Sequence, residues 1–193
     1  MKIHVTDNSA IIIVDVQNDF CPGGSLPVPD GDKVIPVLNL YIKKFVEGNL
    51  SVCYTRDWHP ANHISFKSEG GIWPGHCIQG TDGAKFHAGL FIPSSAIIIS
   101  KGTVPDKEAY SGFQGTDLEH LLNAGKIKRL FIGGLATDYC VNGTVLDALK
   151  GGFEAIFLSD ASKGVDVKPG DSERAIEEML RAGAIKITLS DIG

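Results

Sequence analysis

The chain lacks several features, and each absence removes a class of protein. It has no run of Lys or Arg, and 23 acidic against 18 basic residues leave a net charge of −5. That balance argues against nucleic acid or an anionic membrane as the main partner and favours a small or neutral ligand. No apolar stretch reaches the ~18 residues a transmembrane helix needs, and Met1-Lys2-Ile3-His4-Val5-Thr6-Asp7 has no signal-peptide core. The four cysteines, Cys21, Cys53, Cys77 and Cys140, are scattered and form no CxxC pair. In a chain of this length they read as reduced thiols of a cytosolic protein, not as a disulfide framework. Gly23-Gly24 and Gly70-Gly71 have neither GxGxxG nor Walker spacing, so no dinucleotide or triphosphate site is implied. Internal repeats and low-complexity tracts are also missing.

The composition itself is ordinary for a globular protein, with 193 residues, 43% of them hydrophobic and 21% charged. One domain over residues 1–193 is expected, and a chain of this size buries roughly 70% of its unfolded surface. Short apolar runs rich in β-branched residues recur: Ala10–Val14, Leu50–Tyr54, Ala96–Ile99, Leu130–Ile132, Ala155–Leu158 and Ala184–Thr188. Most lack polar alternation, the pattern of strands covered on both faces. Between them lie helical stripes. Val34, Leu38, Tyr41, Ile42 and Phe45 form one, closed by Gly48, and Asp117 to Ala124 form a short one ending at Gly125. Val141, Val145 and Leu149 form a third, closed by Gly151. Asp171 is expected to N-cap the last, with Ala175, Ile176, Met179 and Leu180 inward and Gly183 after it. This alternation predicts an α/β doubly wound three-layer sandwich around about six mostly parallel strands.

Ligands of an open parallel sheet bind outside the carboxyl ends of the strands. Asp15 closes the first predicted strand, Asp57 follows the second, Lys101 the third, and Cys140 comes a few residues after the fourth. Singly, each has a plain reading: a strand-end acid, a solvated lysine, a small core cysteine. Together a base, an ammonium and a thiol suggest covalent catalysis. Cys140 follows Gly133-Gly134-Leu135-Ala136-Thr137-Asp138-Tyr139, a strand-to-helix turn in which Thr137 or Asp138 is available as a cap. A sulfur in a first helical turn is helped toward the thiolate. The backbone N–H groups of Ala136 and Cys140 are candidates for an oxyanion hole. A carboxylate ~4 Å from a thiolate repels it by about 4 kcal/mol at an effective dielectric near 20. A neighbouring ammonium offsets this, which gives Lys101 a purpose beside Asp15.

The long segment 57–95 carries a second cluster. Asp57-Trp58-His59 sets a carboxylate and an imidazole close together, and His76 can complete a three-ligand metal site with open positions, as in catalytic sites; the plain alternative is that these are surface loop histidines. His63 reads as a fourth ligand or as a loop histidine, and Glu69 as a further oxygen ligand. Phe20, Trp73 and Tyr110 sit in loops after strands, where an aromatic packs on the core or lines a pocket for a flat ring.

Four motifs in order resemble the nicotinamidase branch of the isochorismatase-like cysteine hydrolases over nearly the whole chain. They are Ile13-Val14-Asp15-Val16-Gln17-Asn18-Asp19-Phe20; Thr55-Arg56-Asp57-Trp58-His59-Pro60 with Trp73-Pro74-Gly75-His76-Cys77; Lys101-Gly102 leading to Tyr110-Ser111-Gly112-Phe113; and Gly134-Leu135-Ala136-Thr137-Asp138-Tyr139-Cys140-Val141. The resemblance implies a triad of Asp15, Lys101 and Cys140, and one divalent metal on Asp57, His59 and His76. Zn²⁺ is the first expectation for that ion, and Fe²⁺ and Mn²⁺ also suit the donors. It further implies a cis peptide at Leu135-Ala136 and a substrate pocket formed by Phe20, Trp73, Tyr110, Leu135 and Ala136. The expected activity is conversion of nicotinamide to nicotinic acid and ammonia in the cytoplasm, within NAD salvage. No nucleic acid or membrane partner is expected, and a homo-oligomer is allowed. Rival readings are a metal-independent N-carbamoyl or ureido amidase of the same fold, a non-catalytic binding relative, and a structural zinc protein with a redox thiol.

Overall fold

The computed structural model describes residues 2–193. Its centre is a six-stranded sheet: β1 (Ser9–Val14), β2 (Ser51–Asp57), β3 (Ile97–Lys101), β4 (Arg129–Leu135), β5 (Glu154–Lys163) and β6 (Ile185–Ile187). The strands lie in the order β3-β2-β1-β4-β5-β6, and every neighbouring pair is parallel. Parallel pairing demands crossovers, and the helices α1 (Val34–Glu47), α2 (Leu118–Ala124), α3 (Asn142–Lys150) and α4 (Asp171–Arg181) serve them.

The absence of polar alternation in β1 follows from its covering on both faces. Ile11 and Ile13 pack with Leu38, Ile42 and Phe45 of α1 on one side. Ala10, Ile12 and Val14 pack on the other side with Leu118, Val145 and Met179 of α2, α3 and α4. The result is the doubly wound α/β sandwich expected. Among the described residues no helix is long and apolar enough to cross a membrane.

Local details depart from the sequence reading. Helix α4 begins at Asp171 itself, after Gly170 in the left-handed region (φ 83°). The Asp171 carboxylate accepts the Lys168 N–H and pairs with Arg174, so it steadies the first turn without being its N-cap. Leu180, expected inward, is 42% exposed, because α4 turns only a narrow stripe centred on Ala175 and Met179 to the sheet. Strand β6 ends at Ile187, where Thr188 opens a capping box with Asp191. Strand β5 runs longer than its apolar core, past a register shift opposite Ile132 and Gly134.

The strand order reverses between β1 and β4, and such a switch point opens a crevice at the carboxyl ends. Gly134 makes the two strands fit closely there. It pairs with Val14 at φ 132°, and a Cβ on it would overlap the Val14 backbone. Gly134→Ala should therefore destabilise the protein by at least about 2 kcal/mol, from strain and forced strand separation together. The urea midpoint measures this, and an unchanged midpoint would show that β1 and β4 yield freely at this position.

Candidate active site

Four side chains from the strand ends meet in the crevice, all buried: Asp15, Asp57, Lys101 and Cys140. Asp15 ends β1 in the left-handed region (φ 48°), while Asp57 and Lys101 are the last residues of β2 and β3 and lie opposite each other in register. The Lys101 Nζ donates to Asp57 Oδ1, to the Ala109 carbonyl at 3.1 Å and to Cys140 Sγ at 3.4 Å. It also lies 2.9 Å from Asp15 Oδ2. One ammonium thus touches both carboxylates and the thiol.

Burial and charge set the proton affinities. Burial raises the Asp15 carboxyl, Lys101 pulls it back, Asp57 raises it again, and the net direction is upward. Asp57 ends well below the usual carboxylate range: burial works against ionisation, but Lys101 and the two neighbouring imidazoles outweigh it. Lys101 is held charged, since its carboxylate neighbours overcome the cost of burial. The Cys140 thiol is pushed well above its ordinary value, first by burial and then by Asp15 and Asp57, against the pull of Lys101. A protonated resting thiol needs a base to become a nucleophile, and Asp15 is the carboxylate that Asp57's ion pair leaves less committed.

The turn that carries Cys140 differs from the expected cap. Residues Thr137–Val141 form a π-helical turn with no side-chain cap. The Asp138 carboxylate instead accepts the N–H groups of Val165 at 2.9 Å and Asp166 at 2.7 Å, tying the segment after β5 to the turn. The wider π turn still delivers Cys140 to the crevice, and the Leu135-Ala136 peptide is cis.

Beside this group stand Asp57, His59 and His76, whose ligand atoms all lie within 4.8 Å of one another. His59 Nδ1 is 2.9 Å from the Gly102 carbonyl and His76 Nδ1 is 2.8 Å from the Pro74 carbonyl. A carbonyl only accepts, so each Nδ1 carries a proton and each ring turns its Nε2 inward. Those Nε2 atoms face Asp57 Oδ2 at 3.5 and 3.8 Å. Two imidazole Nε2 atoms and a carboxylate oxygen converging in this way form a three-donor set for a cation, and outer carbonyls orienting ligand histidines are the usual supporting shell of a metal site. The donor set therefore fits a divalent ion. His63 is engaged otherwise: its Nδ1 meets Ser65 Oγ at 2.7 Å, its Nε2 the Lys107 carbonyl at 3.0 Å, and its ring stacks on His59. Glu69 lies on the exposed surface, outside the cluster.

Above Cys140 and Ala136 is a small cavity walled by Phe20, Trp73, His76, Tyr110, Tyr139 and Val165. Phe20 leans on His76 with ring centroids 5.5 Å apart. Trp73 Nε1 donates to the Tyr110 hydroxyl at 3.2 Å, and Tyr139 meets Trp73 edge to face at 5.0 Å. The expected aromatics thus gather around the thiol. Leu135 does not line this space: it is 1% exposed and packs in the core beside Gly31, because the chain turns toward the cavity only at Ala136. Tyr139 and Val165 escaped the sequence reading. Tyr139 was signalled by standing next to Cys140 in the same turn, whereas Val165 belongs to a segment whose approach depends on Asp138.

Comparison with known proteins agrees with this geometry. The family description "Isochorismatase domain" matches residues 9–191. A nicotinamidase from Escherichia coli is 40% identical, the match covering 94% of this chain and 95% of that protein. Among solved structures, the pyrazinamidase of Pyrococcus horikoshii in complex with zinc is 55% identical with a TM-score of 0.91, over 94% of this chain and 99% of the other. A protein from L. infantum in complex with nicotinate is 33% identical with a TM-score of 0.91, over 100% and 99%. With the family description spanning nearly all of the sheet and the crevice, this chain belongs to the isochorismatase-domain family of hydrolases.

Proposed function

We propose that this chain hydrolyses nicotinamide to nicotinic acid and ammonia, with Cys140 as nucleophile. The observation that carries the reading is the Lys101 ammonium in contact with Asp15, Asp57 and Cys140, which couples a thiol and its base directly to the histidine cluster. A mostly apolar cavity over the sulfur, walled by aromatic rings, suits an aromatic carboxamide. The relatives named for nicotinamide and pyrazinamide hydrolysis support the same substrate class.

In this scheme Asp15 takes the Cys140 proton and the thiolate attacks the carboxamide carbon. Lys101 stays charged throughout and offsets the negative charge that forms beside two carboxylates. The N–H groups of Ala136 and Cys140 receive the oxyanion. Asp15 then gives its proton to the leaving nitrogen, ammonia departs, and a thioester on Cys140 remains. Asp15 serves again as base for the water that hydrolyses it. Asp57, His59 and His76 would hold the divalent ion, zinc by preference, which when bound offers a Lewis-acidic position for the pyridine nitrogen and orients the ring. Phe20, Trp73 and Tyr110 flank the ring and exclude water. The reaction would serve salvage of nicotinamide toward NAD in the cytoplasm.

Ammonia release from nicotinamide tests the proposal. Cys140→Ala should lower kcat by at least about 10⁴-fold, the scale on which covalent catalysis is lost, while nicotinamide still binds by calorimetry. A variant that keeps wild-type kcat would remove Cys140 from the chemistry. Chelation should raise KM more than it lowers kcat, and added Zn²⁺ should reverse it; steady-state kinetics on the stripped and reloaded protein reads both.

A further inference from the structure

The two oxygens of Asp15 stand in different surroundings, and the difference lies in a residue with no part in the scheme above. Thr55, buried in β2, donates its hydroxyl to Asp15 Oδ1 at 2.6 Å. Its carbonyl accepts the Asp15 N–H at 3.2 Å, so backbone and side chain of Thr55 grip the same residue. Oδ2 is buried, with no hydroxyl or backbone N–H donating to it. Lys101 lies 2.9 Å from it, an ion-pair distance, yet an ammonium has three protons. Those of Lys101 are directed at Asp57 Oδ1, the Ala109 carbonyl and Cys140 Sγ. Oδ2 is therefore held by the ammonium alone and keeps a lone pair for a further proton, beside a thiol whose sulfur shares the same ammonium.

We infer that Thr55 is a positioning residue that assigns the two Asp15 oxygens separate tasks: it pins Oδ1 and leaves Oδ2 as the oxygen that takes the proton from Cys140. The inference rests on the proposed cysteine mechanism and makes it specific to one atom. Without the hydroxyl, the carboxylate is free to rotate about its Cβ–Cγ bond, and Oδ1 becomes a second buried acceptor in need of a proton. The base then spends part of its time turned away from the sulfur. Thr55 cannot act on the ring pocket directly, since the cavity wall does not include it.

Thr55→Val and Thr55→Ser separate the hydroxyl from the methyl group, which faces Gly112. Thr55→Val should lower kcat for nicotinamide by about 10- to 100-fold, the scale of one hydrogen bond to a charged group, with KM within about twofold. Thr55→Ser should restore most of the loss. Alkylation of Cys140 by iodoacetamide at neutral pH gives a readout that needs no turnover, and it should slow in Thr55→Val in the same order. If Thr55→Val does not fold, as judged by thermal melting, Thr55→Ala offers the same comparison without added bulk. Hydroxyl-free variants with wild-type kcat and alkylation rate would overturn the inference, as would Thr55→Ser behaving like Thr55→Val. Should the wild type fail to hydrolyse nicotinamide, the proposed reaction falls, while the alkylation series still decides what Thr55 does to the Asp15–Cys140 pair.

Discussion

A single buried cation organises this molecule's chemistry. Lys101 is 1% exposed and sits among Asp15, Asp57 and Cys140. Removing one member of such a buried ionic group typically costs about 3–5 kcal/mol, because the remaining charges are left without compensation. Without the ammonium the two carboxylates would have to share protons, and the thiol beside them would be harder still to ionise. Without either carboxylate the ammonium would lose the partners that keep it charged. The group is mutually dependent: Asp57 and Lys101 end β2 and β3, Asp15 follows β1, and Cys140 stands in the turn after β4.

The surrounding architecture keeps those strand ends at fixed distances. Gly134 permits β4 to lie against β1 where Asp15 and the nucleophile turn emerge. Gln17, fully buried, bonds both the N–H and the C=O of Asp57 with its side-chain amide, substituting for a neighbouring strand. Asp19 accepts the N–H of Cys77 with one oxygen and that of Ser25 with the other, joining the segment after β1 to the loop that carries His76. These are polar contacts in a buried region, where satisfied networks fix one arrangement and unsatisfied ones are costly.

Much of this was legible before any coordinates. The apolar runs without alternation announced strands covered on both faces, and the reactive residues at their ends predicted a shared edge. Asp57 and His59 were legible as a pair from their spacing, and the family resemblance joined His76 to them; in the fold a bridge between His59 and Ile78 brings the His76 loop alongside. What could not be read depends on approach between segments distant in sequence. Thr55 looks like any β-branched strand residue until Asp15 is seen 2.6 Å away. His63 has the residue type and spacing of a ligand, and only its bonds to Ser65 and Lys107 show both nitrogens occupied. Asp138 suggested a helix cap by type and position, but the turn widened to a π form and its carboxylate reached the chain beyond β5 instead.

Between Gly102 and Ala109 the loop after β3 bears on the site through its backbone. The Gly102 carbonyl orients His59, that of Lys107 meets His63, and that of Ala109 binds Lys101. The side chains of residues 103–108, by contrast, point to solvent. A carbonyl is the same group whatever residue carries it, so selection acts here on the path of the chain and hardly on its letters. Side chains can change throughout 103–108 and leave these carbonyls in place, whereas inserting or deleting one residue there would displace those of Lys107 and Ala109 together. The length of this loop, more than its spelling, is what a lineage must inherit.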